Sequence, residues 1–431
     1  MSRGATGVVI ALVAMAVALG ACGVPRAASP SHERDETMAT DQPVHNFTIL
    51  YSTASPLFGV AVWTTITSPP LATSTPQLLV THDFVHYQRI TLPPLPSENG
   101  VVGVFMSASF PTENDGWLAV GNGDASTGYL YHTTDGGTSW HLIRTLWVGS
   151  GGTASVYFLD PTHGWLISGN PAANGADSVT VTVTTDGGQA WQPLLNEAGW
   201  LSDLGQETPT FSDPEHGFVA KTTLSPTDPP TLQGELMETS DGGAEWAAAY
   251  PPVATRGSVS YRQPAFFGPD GVLPIEVTKL GKDNTGPVTI DFDETSDGGT
   301  LWSSRSSLQT TATGKLTYPG AEPRPSLSIS VPTSRTWWVL SEDPSRRITL
   351  YRTTDAGRRW TRTAAEGLPV SLPAVRSPVS PWRVSIHAVS ANIAFATISG
   401  FTSPSALVQS VTTFVTTDGG ARWIRFSPVG L

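Results

Sequence analysis

The chain has 431 residues, with 24 Lys+Arg against 36 Asp+Glu and a formal net charge of −12. That acidic balance argues against nucleic acid as a general partner, while 39% hydrophobic residues and 14 Trp exclude wholesale disorder. The single cysteine, Cys22, excludes an intramolecular disulfide framework and a cysteine-built metal site.

Residues 1–22 read as an export signal, with Arg3 in a positive n-region and an uncharged apolar stretch from Val8 to Leu19. A comfortable transmembrane helix needs about 20 apolar residues, so this run is short for spanning. It ends in Leu19-Gly20-Ala21-Cys22, which resembles the bacterial lipoprotein signal, or lipobox. The resemblance implies a diacylglyceryl thioether on Cys22 and an anchor on the outer face of the cell membrane. Residues 23–45 carry almost no bulky apolar side chains and read as a flexible tether, leaving 46–431 for the folded body.

One octapeptide dominates that body. It stands at 133–140 (TTDGGTSW), 184–191 (TTDGGQAW), 239–246 (TSDGGAEW), 295–302 (TSDGGTLW), 353–360 (TTDAGRRW) and 416–423 (TTDGGARW). A degraded copy, THDFVHYQ at 81–88, keeps Thr81 and Asp83 and places Tyr87 near the Trp position. The aspartates Asp83, Asp135, Asp186, Asp241, Asp297, Asp355 and Asp418 recur at a mean spacing close to 56 residues. Such a period announces a repeat architecture. Within the octapeptide the carboxylate suits backbone N–H groups of a turn, and glycine permits positive φ. The Thr hydroxyl bonds locally, and Trp140, Trp191, Trp246, Trp302, Trp360 and Trp423 are expected to plug gaps between packed sheets.

A second motif precedes each box by roughly twenty residues. It reads FPTENDGWLAV (110–120), FLDPTHGWLIS (158–168) and FSDPEHGFVA (211–220), with weaker echoes at 266–275, 331–340 and 389–398. Each unit thus predicts four strands, and seven units predict an all-β chain folded as a single seven-bladed β-propeller. The expected blades are 46–95, 101–148, 152–198, 206–252, 262–309, 326–365 and 382–428. Six blades plus a cap is the alternative.

The octapeptide resembles the Asp-box, or BNR repeat. Its pairing with the F-x-D-x-x-x-G-W turn resembles the photosystem II stability/assembly factor family of propellers, over about residues 46–428. That resemblance implies a non-catalytic scaffold or assembly factor for membrane or envelope proteins. Asp-box propellers also include sialidases, xyloglucanases and sortilin-type receptors, so a carbohydrate-binding or glycoside-hydrolysing surface lipoprotein is the alternative.

The repeat supplies an internal control on chemistry, because a residue shared by equivalent positions in several blades serves the blade. The seven box aspartates are therefore read as structural, and His163 and His216 as turn residues. His132 and His141 are placed to meet across a hairpin, whereas His82 and His86 bracket a turn rather than a helix. Glu235, Glu276, Asp291 and Asp293 are available carboxylates, but no pattern selects an acid–base pair. No catalytic, metal or cofactor residue is assigned. A monomer with a protein partner in the envelope is expected, held to the membrane through Cys22.

Charge is uneven along the chain. Residues 101–300 hold 6 Lys+Arg against 24 Asp+Glu, and residues 301–431 hold 14 against 6. Successive blades turn this into an acidic arc and a basic sector. Arg358, Arg359, Arg362, Arg422 and Arg425 are expected on one outer rim of blades 6 and 7, with Arg346, Arg347 and Arg352 nearby. The rim is a candidate partner patch.

Overall fold

The computed structural model describes residues 44–54, 57–66, 74–90, 104–122, 127–149, 152–169, 179–194, 209–224, 232–250, 257–279, 285–315, 327–363, 365–372, 383–400 and 410–427. Every regular element in them is a strand, and the strands form seven separate antiparallel sheets.

Blade 1 holds β1 (Val44–Ala54), β2 (Leu57–Ile66), β3 (Ser74–Thr81) and β4 (Gln88–Ile90). Blade 2 holds β5 (Val104–Ser109), β6 (Gly116–Asn122), β7 (Thr127–Thr133) and β8 (His141–Trp147). Blade 3 holds β9 (Thr153–Phe158), β10 (Gly164–Gly169), β11 (Val179–Thr184) and β12 (Gln192–Pro193). Blade 4 holds β13 (Thr210–Phe211), β14 (Gly217–Leu224), β15 (Leu232–Thr239) and β16 (Ala247–Tyr250). In blade 5 the first strand is split into β17 (Gly257–Tyr261) and β18 (Ala265–Phe267), followed by β19 (Asp270–Lys279), β20 (Thr285–Thr295) and β21 (Ser303–Lys315). Blade 6 holds β22 (Leu327–Ser330), β23 (Trp337–Glu342), β24 (Ile348–Thr353) and β25 (Thr361–Thr363). Blade 7 holds β26 (Arg383–Ala388), β27 (Ala394–Gly400), β28 (Ser410–Thr416) and β29 (Ile424–Arg425).

The protein is a seven-bladed β-propeller. Residues 44–90 form a full first blade rather than a cap. β1 begins two residues before the expected start of the body. The fifth blade begins at Gly257, ahead of the expected 262, because β17 and β18 both pair with β19 across a break at 262–264. Pro264 has no N–H to give a ladder, which suits it to that break.

The first strands of successive blades lie against one another, β5 on β9 and β22 on β26, so they form the inner wall of the ring. Among the described residues no strand is exchanged between blades 1 and 7, since each sheet is built from consecutive strands. The ring closes instead by side-chain packing. Phe47 and Tyr87 of blade 1 meet Phe395 and Phe426 of blade 7, with Phe47 and Phe426 centroids 4.3 Å apart.

The second motif explains how blades stack. Its Phe lies over the glycine six residues later, so a Cβ on Gly164 would come within 2.5 Å of the Phe158 ring. Its Trp then reaches the next blade. Trp117 stacks on Phe158 and Trp165 on Phe211, each pair with centroids 3.5 Å apart. Trp117, Trp165, Trp337 and Trp338 are among the largest fully buried side chains. The box tryptophans Trp140, Trp191, Trp246, Trp302 and Trp360 are only half-buried and stand edge-on or tilted to the same phenylalanine layer. The box tryptophans pack, as expected, in the clusters between adjacent blades, and the second-motif tryptophans are the more completely buried plugs beside them.

Trp423 is the exception among box tryptophans, fully buried because residues 365–372 fold back over it. Its amide donates to Glu366 O, and Leu368 and Leu372 join the same core.

Candidate functional site

The six strong boxes share one geometry. The Thr hydroxyl donates to Asp Oδ1 at 2.7–2.9 Å, as in Thr133–Asp135, Thr184–Asp186, Thr239–Asp241, Thr295–Asp297, Thr353–Asp355 and Thr416–Asp418. The same hydroxyl accepts the amide of the fifth box residue at 2.9–3.0 Å. The carboxylate accepts the amide of the seventh residue at 2.8–3.0 Å. These bonds hold the carboxylates ionised. The hydroxyl and amide of Ser139, then Thr133, bring Asp135 down to about 2. Asp186, Asp297, Asp355 and Asp418 are lowered chiefly by the seventh-residue amide. In Asp241 burial opposes ionisation, and the Glu245 amide and Thr239 hydroxyl outweigh it.

The degraded first box is shorter by one residue. Thr81 Oγ1 accepts the Phe84 amide at 2.8 Å, and Asp83 accepts the amides of Val85 and His86. Burial opposes ionisation of Asp83, yet its bonds to His86 and Val85 win and lower it. Tyr87 occupies the Trp place, buried in the closing seam.

The two sequence motifs are fastened together. In every strong box the fourth-residue amide donates to a carbonyl of the second-motif turn of its own blade, from Gly136 to Asn114 and from Gly187 to Thr162. Gly242–Glu215, Gly298–Pro269, Ala356–Arg335 and Gly419–Asn392 repeat it. Asp160 and Asp213 cap the second-motif turns, bonding the amides and Nδ1 of His163 and His216. Thr112, Thr333 and Ser390 cap the equivalent turns in other blades. His132 and His141 are directly opposed across the β7–β8 ladder, with His132 stacked on Trp117.

A further set of residues escaped the sequence reading. Hydroxyls on one inner strand satisfy the backbone of the next inner strand. Val156 and Phe158 amides donate to Ser107 and Ser109, and Ile386 and Ala388 amides donate to Ser328 and Ser330. The Tyr157 hydroxyl donates to Phe211 O, and the Thr210 hydroxyl to Pro264 O. An inner strand has no neighbour on its axial edge, so these bonds pair otherwise orphaned backbone groups. The signal was present as Ser-x-Ser just ahead of the second motif, at 107–109 and 328–330.

At the closing seam the corresponding contact is Ser52 Oγ to His387 Nε2, at 2.8 Å. Burial pushes the His387 imidazole down to about 4, a weak base near neutrality. The strands around it, β1, β2, β26, β27 and β28, contain no Asp or Glu to orient the ring. The contact joins the inner strands of blades 7 and 1 across the seam.

Of the candidate carboxylates, Asp291 and Asp293 lie near each other on one face of β20, while Glu276 lies on the other face of the sheet and Glu235 on β15 of blade 4. Glu276 accepts from Arg262 Nε at 2.6 Å, and Asp293 is buried on the face of blade 5 packed against blade 4. Burial, then the Asp291 charge, raises the Asp293 carboxyl. Among the described residues no group of three His, Cys, Asp or Glu is placed to hold a metal ion.

Arg358, Arg359, Arg362, Arg422 and Arg425 are all exposed. Arg358 lies close enough to Glu294 of blade 5 to stabilise its charge, and the backbone of Arg422 forms an isolated parallel β-bridge with that of Glu366. Arg352, expected beside them, is instead turned inward. It lies over Trp338 at 5.3 Å and donates to Gly419 O at 2.7 Å, riveting blade 6 to blade 7. Arg346 is paired with Glu342 at 3.1 Å. Cys22 lies outside the described residues.

A scan against protein-family models found no match, and a search of curated proteins found none. Solved structures similar to this chain include one described as YCF48 bound to D1 peptide, at 17% identity and a TM-score of 0.44, covering 89% of this chain and 96% of that one. Another is a PL25 ulvan lyase with bound saccharide, at 10% identity and 0.48, covering 90% and 96%. A third is the α-L-arabinofuranosidase Arb93A from Fusarium graminearum, at 11% identity and 0.37, covering 89% and 97%. Likeness at this distance transfers neither peptide binding nor glycan chemistry to this chain.

Proposed function

We propose that this protein is a membrane-anchored, extracytoplasmic, non-catalytic propeller that binds an envelope protein through the arginine rim of blades 6 and 7. The observation that carries the reading is the division of labour among arginines. Arg262, Arg346 and Arg352 are hydrogen-bonded or ion-paired within the fold, whereas the five rim arginines are exposed in a sector of net positive charge, with Arg358 and Arg359 acting on nearby carboxylates only through space. A guanidinium fork binds carboxylates bidentately, so the partner offers an acidic loop. The box carboxylates support the same reading, because each is occupied inside its own turn. The lipid on Cys22 would keep the rim close to membrane-protein partners.

The test is cross-linked co-purification from the native membrane, with the full lipidated chain and with Arg358→Glu/Arg359→Glu/Arg422→Glu. A specific membrane protein should be recovered with the first and lost with the triple variant, and recovery should fall as salt rises. Equal recovery by the variant at low salt would reject the rim. Turnover of a glycoside panel, unaffected by the triple substitution, would favour the glycan-directed alternative.

A further inference from the structure

We propose that the seam closing the ring between blades 7 and 1 is an acid-sensitive latch, with His387 and Ser52 as its working parts. Three observations converge on it. Among the described residues the sheets of blades 1 and 7 exchange no strand, and the contacts seen between them are between side chains. The described inner-strand stitches at the 2–3, 3–4, 4–5 and 6–7 seams use Ser, Thr or Tyr hydroxyls, none of which gains a proton in mild acid. At the 7–1 seam the stitch is an imidazole.

The surroundings give a protonated ring no compensation. β1 contributes Tyr51, β26 contributes Arg383 at its exposed end, β29 contributes Arg425 and β4 contributes Arg89, while β23, packed on β26 from blade 6, carries Glu342 paired with Arg346. Neither β2, β3, β5, β27 nor β28 contains a residue that ionises, and none of the described strands of blades 1 and 7 carries a carboxylate. A cation at this partly buried ring would therefore find no opposing carboxylate on the described strands of blades 1 and 7.

The sign follows from linkage. Burial lowers His387 to about 4 in the closed seam, against an ordinary value of 6.5. Opening therefore takes up a proton at any pH between these values, so the opening equilibrium grows as pH falls through 6.5 and levels off below 4. Relative to pH 7 the increase is about 20-fold at pH 5 and ~240-fold at the acid limit. The box carboxylates stay ionised over this range, with Asp135 titrating near 2, so they do not open the turns in the same window.

Native-state hydrogen exchange on the full chain tests this at pH 7 and pH 5, after correction for intrinsic rates. Amides of β1 should open about 20-fold more at pH 5, while the Tyr157–Phe211 seam stays within a few-fold. His387→Gln keeps a polar partner for Ser52 without a proton to gain, and should flatten the response. If that variant does not fold, the wild-type His387 ring signal followed by NMR serves: titration near 4 with seam opening supports the latch. An equal rise at the 3–4 seam, a response that survives His387→Gln, or a His387 ring titrating near 6.5 in the closed protein would overturn it.

Discussion

Replacing Trp165 with Ala should destabilise the propeller more than the same change at Trp191, although Trp191 belongs to the better-kept sequence motif. Trp165 is fully buried, lies flat on Phe211 of the next blade at 3.5 Å, and donates Nε1–H to Gly242 O at 2.8 Å. Its removal opens a cavity between two blades and strips a partner from a box turn. Large buried aromatics cost about 3–5 kcal/mol on truncation. Trp191 is half-buried, meets Phe158 edge-on and has Arg144 over its face at 5.9 Å, so roughly half that cost is expected. With an unfolding entropy of about 2 cal/mol/K per residue over the propeller, these costs become falls in Tm of about 4–6 °C and 2–3 °C. Differential scanning calorimetry at one scan rate measures both. Trp165→Phe separates the contributions: it keeps most of the stack and loses the hydrogen bond, for about 1 kcal/mol. A fall for Trp191→Ala equal to or larger than that for Trp165→Ala would refute the assignment of second-motif tryptophans as the principal plugs.

Two further substitutions test the turns and the inner wall. Ser330→Ala leaves the Ala388 amide without its acceptor and should cost about 1–3 kcal/mol, read as a lower Tm and faster exchange at Ala388. Ala356 holds φ +58°, where the other strong boxes have glycine, so Ala356→Gly should raise stability by about 0.5–1 kcal/mol. A loss of stability there would show that the sixth box is not strained at that position.

Much of the fold was legible in the sequence because the repeated features are local. Thr, Asp and Gly at fixed offsets close a turn through bonds spanning two to four residues, and alternating apolar residues declare strands without reference to the rest of the chain. Seven copies then fix the blade number, even where Asp83 and Tyr87 stand in for a complete box. What the tertiary structure alone decided concerns contacts between blades, about fifty or more residues apart in sequence. Trp165 reads like any motif tryptophan until Phe211 is stacked upon it. Arg352 reads like its rim neighbours until Gly419 O accepts its proton. The pairing of Ser52 with His387 joins residues 335 positions apart, and only closure of the ring brings them within 2.8 Å. A repeat specifies what each blade does for itself. The partners across the seams, and hence the burial that decides charge and accessibility, exist only once the blades are packed into a circle.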